Sequence, residues 1–292
     1  MRDVRQPRIY SSTMLSRRFL LRSAFAGGAS ALGLGLYTWQ VEPHWLEIVR
    51  RPLPIHDLPP ALNGATLAHL SDLHVGTQVA DSYLLKSFGR MAELRPDIVV
   101  YTGDFTSHHP RIFEHAERLY ATAPRGRLGT FGVLGNHDYG PGFSDATLAA
   151  GLKARLEAAG ITILINQVYD ISGLQIVGMG ELWAGRFEPE TALRQMDRTR
   201  SAIVLSHNPD TVDLQGWDGY HGWILAGHTH GGQCKPPFLP PPRLPVRNRR
   251  YTSGEFALDG ERKLYISRGV GHLAQVRFNV RPEVTLFTLT SA

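Results

Sequence analysis

The chain has 292 residues, 42% of them hydrophobic, which suffices for one large domain or two small ones with a substantial core. Its single cysteine, Cys234, excludes an intramolecular disulfide framework and a cysteine-based zinc site, so any metal must be held by His, Asp, Glu or Asn. The formal charge of +5 resides in residues 1–36, which carry six arginines and one acid and leave 25 basic and 25 acidic residues to the remainder; bulk charge therefore excludes a nucleic-acid binder.

The first element is a leader. Ser16-Arg17-Arg18-Phe19-Leu20-Leu21 precedes an uncharged stretch from Ser23 to Val41. A basic start followed by a modestly apolar run reads as an export signal. The paired arginines resemble the twin-arginine signal in particular, which would make that export machinery a partner. Nineteen uncharged residues at ~1.5 Å each reach ~28 Å, so the segment also suits an N-terminal membrane anchor with Trp39 and Trp45 near the far interface. Either reading places the remaining chain outside the cytoplasm. Residues 1–41 are thus a signal or anchor, 42–63 a proline-rich linker or edge segment, and 64–292 the domain.

Strand signals then recur, each running into polar residues. Ala65 to Leu70 leads to Asp72 and His74, Asp97 to Tyr101 to Asp104, Gly129 to Leu134 to Asn136-His137-Asp138, Ala202 to Leu205 to His207, and Trp223 to Ala226 to His228 and His230. Apolar spacing of three and four predicts helices at about 80–94, 111–122, 144–159 and 188–198. This alternation, with chemistry at the carboxyl ends of strands, is the ligand-site position of open α/β sheets. The proline-rich 235–250 reads as a surface loop, and strands without helices follow at 251–257, 263–267 and 284–289.

In an extended strand residues i and i+2 share a side, so Asp72 with His74, and His228 with His230, would each present two donors in one direction. Gly231 and Gly232 would let the chain turn away without a Cβ obstructing a substrate. Seven donors are too many for one first-row ion but suit two divalent ions about 3.5–4 Å apart with a bridging carboxylate. Asp104 is the natural bridge, and the mixed imidazole and carboxylate set favours Mn, Fe, Zn or Co over calcium.

Asp72-x-His74, Gly103-Asp104, Gly135-Asn136-His137-Asp138, His207 and Gly227-His228-Thr229-His230, in that order, resemble the calcineurin-like metallophosphoesterase superfamily. The resemblance implies a four-layer α/β/β/α sandwich. It also implies that Asp72, His74 and His230 hold one ion, Asn136, His207 and His228 the other, and that Asp104 bridges them. A hydroxide between the ions would then attack phosphorus in line. His137 is the expected general acid, with Asp138 fixing its tautomer.

The Arg-rich loop and the segments around Arg247 and Arg268 resemble a branch of exported or membrane-associated phosphodiesterases that includes UDP-2,3-diacylglucosamine hydrolases. That implies a phosphate-ester substrate, lipid-linked ones included, with Arg247 and Arg268 available to clamp a second phosphate. His108 and His109 are expected on the surface. A metal-stabilised scaffold without turnover is the reading from another functional class.

Overall fold

A computed structural model describes residues 17–107, 112–217 and 219–292. The start of the leader, and His108 and His109, lie outside the described residues. The chain forms two compact units, residues 1–37 and 38–292. In the first, α1 (Arg17–Leu36) buries none of its side chains. The helical run Arg17–His44 is long and apolar enough to cross a membrane by length and composition.

The second unit holds β1 (Glu47–Ile55), β2 (Thr66–Leu70), α2 (Asp81–Ala92), β3 (Ile98–Thr102), α3 (Phe113–Tyr120), β4 (Gly129–Val133), α4 (Ala146–Ala158) and β5 (Thr162–Ile163). It continues through β6 (Gln167–Ile171), β7 (Leu174–Gly178), α5 (Pro189–Leu193), β8 (Ala202–Leu205), β9 (Gly222–Ala226), β10 (Gly254–Ala257), β11 (Arg262–Ile266) and β12 (Glu283–Ser291). Two mixed six-stranded sheets result, ordered β1-β12-β2-β3-β4-β5 and β10-β11-β9-β8-β7-β6. Their central strands run parallel.

Hydrophobic patterning explains the layering. β3 reads Ile-Val-Val-Tyr-Thr and is buried at every position, as a parallel strand covered on both faces must be. Alternate residues from the two sheets, including Leu67, Val100 and Phe131 from one and Ile176, Leu205 and Leu225 from the other, fill the space between them. The first sheet's outer face packs on α2, α3 and α4 through residues such as Leu84, Phe88, Leu119 and Leu152. The second is covered by α5 and by a 3-10 turn at Pro209–Asp213, through Leu193 and Val212, with Trp217 beside them. This is the expected four-layer α/β arrangement, with a thin fourth layer.

Several elements depart from the sequence reading. The segment 42–63 takes the edge form and not that of a free linker: β1 pairs in parallel with β12 from Glu47 to Ile55, and Glu42 is buried with its carboxylate accepting from the Val280 amide. The helix expected at 188–198 stops after α5, where Gln195 turns its side-chain amide back to Asn166 and Thr191 carbonyls. The β6–β7 hairpin was not expected. Its two-residue loop, Ser172-Gly173, has positive φ at both positions (51° and 102°), the geometry that suits the twist of a tight hairpin.

Candidate metal centre

All seven expected donors sit just past the carboxyl ends of β2, β3, β4, β8 and β9, where adjacent parallel strands open a crevice. They are fully or nearly fully buried. The structure brings them into two touching groups. Asp72, His74 and His230 form one; Asp104, His207 and His228 form the other, each with its donor atoms within 4.8 Å of one another. Asn136 Oδ1 lies 3.0 Å from His207 Nε2 and joins the second group.

Asp104 stands between the groups. Its Oδ2 is 3.5 Å from His74 Nε2 and 3.4 Å from His207 Nε2, while its Oδ1 accepts the His137 backbone N–H at 2.9 Å. One oxygen thus faces both groups and the other is anchored to the chain.

The extended-strand rationale for the paired donors does not hold. Asp72, His74, Asp104, His228 and His230 all adopt left-handed backbone, with φ between 49° and 72°. Such conformations cost about 1–3 kcal/mol each at non-glycine residues and persist only where the surroundings impose them. Side chains converge here because the loops curl, not because a pleat alternates. The freedom at Gly231 and Gly232 also has a different reason. Their φ values are 60° and 82°, and an added Cβ would meet Val280 Cγ1 at 2.8 Å and Pro241 Cβ at 2.3 Å, so close packing and not substrate access requires glycine.

The hydrogen bonds select tautomers. His207 Nδ1 lies 2.7 Å from the Thr102 carbonyl and His228 Nε2 lies 2.8 Å from the Pro245 carbonyl. Carbonyls accept only, so these nitrogens carry protons, which leaves His228 Nδ1, and His207 Nε2 once it has given up its own proton, to act as lone-pair donors. Those two atoms face each other at 3.1 Å, as do His74 Nε2 and His230 Nε2, also at 3.1 Å. Lone pairs held this close need a proton or a cation between them. Asn136 Nδ2 is buried without a hydrogen-bond partner among the described residues.

The electrostatics agree. Burial depresses the His207 imidazole, but the adjacent Asp104 carboxylate, with Asp72 and Glu181, outweighs it and carries the pKa up to about 10. Burial, with the charge of His207, pushes His228 down to about 3, and burial with His74 holds His230 well below its ordinary value. Burial raises Asp72 to about 7. Asp104 stays well below the carboxylate range because His207, His137 and His74 together overcome its burial. His207 is thus cationic until a metal displaces its Nε2 proton, and with the neutral His228 and His230 and the buried carboxylates it completes a donor set that fits divalent cations.

His137 belongs to neither group. Its Nε2 is 4.0 Å from Asp104 Oδ2, and its ring stands edge-on to His74 at 4.9 Å and against Phe143 at 5.3 Å. Asp138 does not take the expected part of fixing the His137 tautomer. Its carboxylate accepts from the backbone amides of Phe105, Thr106 and Gly135, which ties the loop after β3 to the loop after β4.

The two arginines are separated. Arg268 does not fit a phosphate clamp: its guanidinium is ion-paired to Glu283 and, at 3.0 Å, to Glu47, so its charge is already matched. Arg247 lines a cleft of about 400 Å³ with Leu182, Trp183, Asp213, Leu214 and Asn248.

Residues that the sequence reading missed also border the centre. Trp183 stands edge-on to the His228 ring at 4.5 Å and tilts against Phe143 at 5.5 Å. Glu181 is buried, one of its oxygens lacks a partner among the described residues, and burial raises its pKa against the pull of His207. Both follow β7, so reading that strand would have exposed them as a sixth strand end. Arg277 is fully buried, donates to the carbonyls of Arg268, Gly269 and Gly271, and lies 3.5 Å from His230 Nδ1. No local pattern distinguishes it in the sequence.

A buried, two-lobed donor set at strand ends of a two-sheet sandwich defines a metal-dependent hydrolase class. The calcineurin-like phosphoesterase family profile matches residues 65–232, and the chain belongs to that family. It is similar to phosphodiesterase YaeI of Escherichia coli (34% identity, 94% of this chain and 100% of the relative). It is also similar to the metallophosphoesterase YkuE of Bacillus subtilis (31%, 95% and 98%). UDP-2,3-diacylglucosamine pyrophosphatase LpxG of Chlamydia trachomatis shares 28% identity over 87% of this chain and 94% of its own. The chain is accordingly a metal-dependent phosphohydrolase.

Proposed function

We propose that the chain is a binuclear phosphoesterase of the cell envelope that hydrolyses a phosphodiester or phosphomonoester, with a lipid-linked compound as substrate. The observation that carries this reading is the placement of Asp104 Oδ2 within 3.5 Å of an imidazole nitrogen from each group. Asp72, His74 and His230 would hold one ion, Asn136, His207 and His228 the other, and Asp104 both. Divalent ions there, of the Mn, Fe, Zn or Co kind, would supply Lewis acidity to phosphoryl oxygens and lower the pKa of bound water from ~15.7 towards ~7.

The protein's own groups then set the geometry. The Thr102 and Pro245 carbonyls fix the tautomers of His207 and His228. The Asp104 contact to the His137 amide places that imidazole over the donor cluster, where it donates a proton to the departing oxygen. Phe143 and Trp183 form an apolar wall from His137 to His228 that keeps bulk water from one side of the phosphate.

The paired Arg17-Arg18 and the apolar run behind them support twin-arginine export or retention as an anchor, with the domain on the outer side of the cytoplasmic membrane. Relatives described as transmembrane proteins with a metallophosphoesterase domain support membrane association. A second reading, pyrophosphatase-type hydrolysis of UDP-2,3-diacylglucosamine, is favoured by the similarity to LpxG and requires access to the cytoplasmic face.

The test is metal analysis of the purified full chain, with hydrolysis of bis(4-nitrophenyl) phosphate, 4-nitrophenyl phosphate and UDP-2,3-diacylglucosamine measured side by side. Two ions per chain and metal-dependent hydrolysis that Asp104→Asn abolishes are expected. Bound metal without turnover of any of the three would instead indicate a scaffold.

A further inference from the structure

Eleven large apolar side chains are exposed among the described residues of the second unit, and seven of them fall in three short segments: Trp39, Val41 and Trp45; Phe238 and Leu239; Leu273 and Val276. These segments are tied together. The Arg277 amide donates to the Thr38 carbonyl at 3.0 Å and Gln275 Nε2 to the Trp39 carbonyl at 3.1 Å. Gln233 Nε2 reaches the Ala274 and Val276 carbonyls at 3.3 and 3.2 Å, and its Oε1 accepts the Leu273 amide. Lys235 and Phe278 continue the pairing through backbone bonds.

We infer that this patch is a second membrane contact, in which Phe238 and Leu239, on the loop that follows the donor His230, enter the headgroup region of an anionic bilayer. Three observations select a lipid surface as the occupant. The first is conformation: Phe238 is wholly exposed (104%) and has φ 65°, an outlier for a bulky residue, so the loop presents the ring outward at a conformational cost. Water gives nothing in return for that.

The second is charge. Residues 231–254 contain Lys235, Arg243, Arg247, Arg249 and Arg250 and no acid, and residues 272–282 add Arg277 and Arg281 and again no acid. Arg277 is buried, and Arg281 lies over the Trp45 ring at 4.1 Å while pairing with Glu47 at 4.0 Å, so the positive charge on offer is that of the 235–250 loop. Apolar tips flanked by cations, with tryptophans at the border, match an interface of acyl chains under anionic headgroups.

The third is continuity. Only Tyr37 separates Thr38 from the apolar helix Arg17–Leu36 in the chain, so a leader that spans a bilayer of about 30 Å delivers the chain into the second unit at Thr38 and Trp39, to which the 273–277 segment is hydrogen-bonded. The consequence reaches the site. Gln233 lies three residues from the donor His230, and Pro245, at the other end of the same loop, accepts from His228. A loop seated in lipid would hold the donor histidines at the membrane surface, where a phosphoester carried by a lipid is presented.

The inference uses the anchor only to locate the patch, so it can be tested without the anchor and apart from any hydrolysis. Residues 38–292 contain both sheets and all three apolar cores. This fragment should float with phosphatidylcholine vesicles containing phosphatidylglycerol and detach as salt rises. F238D/L239D should lower its partition coefficient about tenfold or more and leave turnover of bis(4-nitrophenyl) phosphate unchanged. In the full chain in nanodiscs, Phe238→Trp should be quenched by brominated lipid. Failure of the fragment to bind any vesicle, or binding that F238D/L239D leaves intact, overturns the inference. So does a fragment that is dimeric in sedimentation until F238D/L239D makes it monomeric while vesicles are ignored, because the patch would then be a contact between copies. Loss of turnover without loss of vesicle binding would count against the phosphoesterase reading alone.

Discussion

His74 and His230 come from loops 156 residues apart, yet their Nε2 atoms face each other at 3.1 Å with the rings only 16° from parallel. A single proton between the rings, an N–H···N bond, accounts for that distance, and a divalent ion that displaced the proton would draw on both lone pairs; the second group repeats the arrangement with His207 and His228. Chelation should therefore destabilise the protein as well as silence it. Stabilisation by a bound ion follows RT ln(1 + [L]/Kd), about 2.7 kcal/mol at a hundredfold excess over Kd. Thermal scans should show a midpoint that rises with added Mn²⁺ or Zn²⁺. In Asp104→Asn, which weakens the oxygen facing both groups, that response should be much smaller. A midpoint indifferent to metal would mean that shared protons, and not cations, join the facing nitrogens.

Gly135 provides a steric test of the same centre. A Cβ there would lie 2.2 Å from Asp104 Oδ1 and 2.3 Å from the Asp104 amide, so Gly135→Ala must displace the shared carboxylate or the loop that carries it. Misplacement by about 1 Å costs on the order of 10² in rate, and a loss of this size, together with weaker metal retention, is expected. Gly89→Ala in α2 is the control. An added Cβ there meets nothing within 4 Å, and helix propensity alone should stabilise the protein by about 0.8–1 kcal/mol. Equal activity in the two variants would refute the argument.

The sequence carried the donor residues more legibly than the reasons for their geometry. Asp72, Asp104, Asn136, His207 and His228 were readable because each follows an apolar run that ends abruptly. Their left-handed backbone was not readable, since it arises from loops pressed together across two sheets. Glu181 and Trp183 were lost with β7, whose hairpin partner β6 alternates weakly and carries exposed Gln167 and Tyr169. Arg268 looked like a free cation because Glu47 and Glu283, its partners, lie 221 and 15 residues away; long-range ion pairs leave no local trace.

His137 is the imidazole near the donors that belongs to neither group, and removal should separate chemistry from metal binding. His137→Ala is expected to lower kcat by roughly 10² to 10⁴ with metal content retained. The loss should be greater for a poor leaving group such as an alkyl alcohol than for 4-nitrophenol, which departs without help from an acid. Loss of metal together with rate would instead make His137 a ligand. Asp138→Asn should behave differently. It weakens the carboxylate that gathers the Phe105, Thr106 and Gly135 amides, so stability should fall along with activity.

Acid sensitivity should have a contributor distinct from the metal ligands. His69 on β2 is fully buried between Tyr265 and Phe287, with Nε2 2.8 Å from the Thr102 hydroxyl and no described partner at Nδ1. Burial lowers its pKa from 6.5 to about 3. Between those values the unfolded chain binds a proton that the folded one refuses, so stability falls as pH drops from 6.5 towards 3, by up to about 1.4 kcal/mol per pH unit. Above pH 6.5 the residue contributes no slope. Urea-unfolding free energies of residues 38–292 measured from pH 7 to pH 5 should decline less steeply in His69→Gln than in the parent. The metal ligands titrate in both proteins, so their contribution cancels in the comparison, and identical slopes would show that His69 accepts its proton without unfolding the sheet.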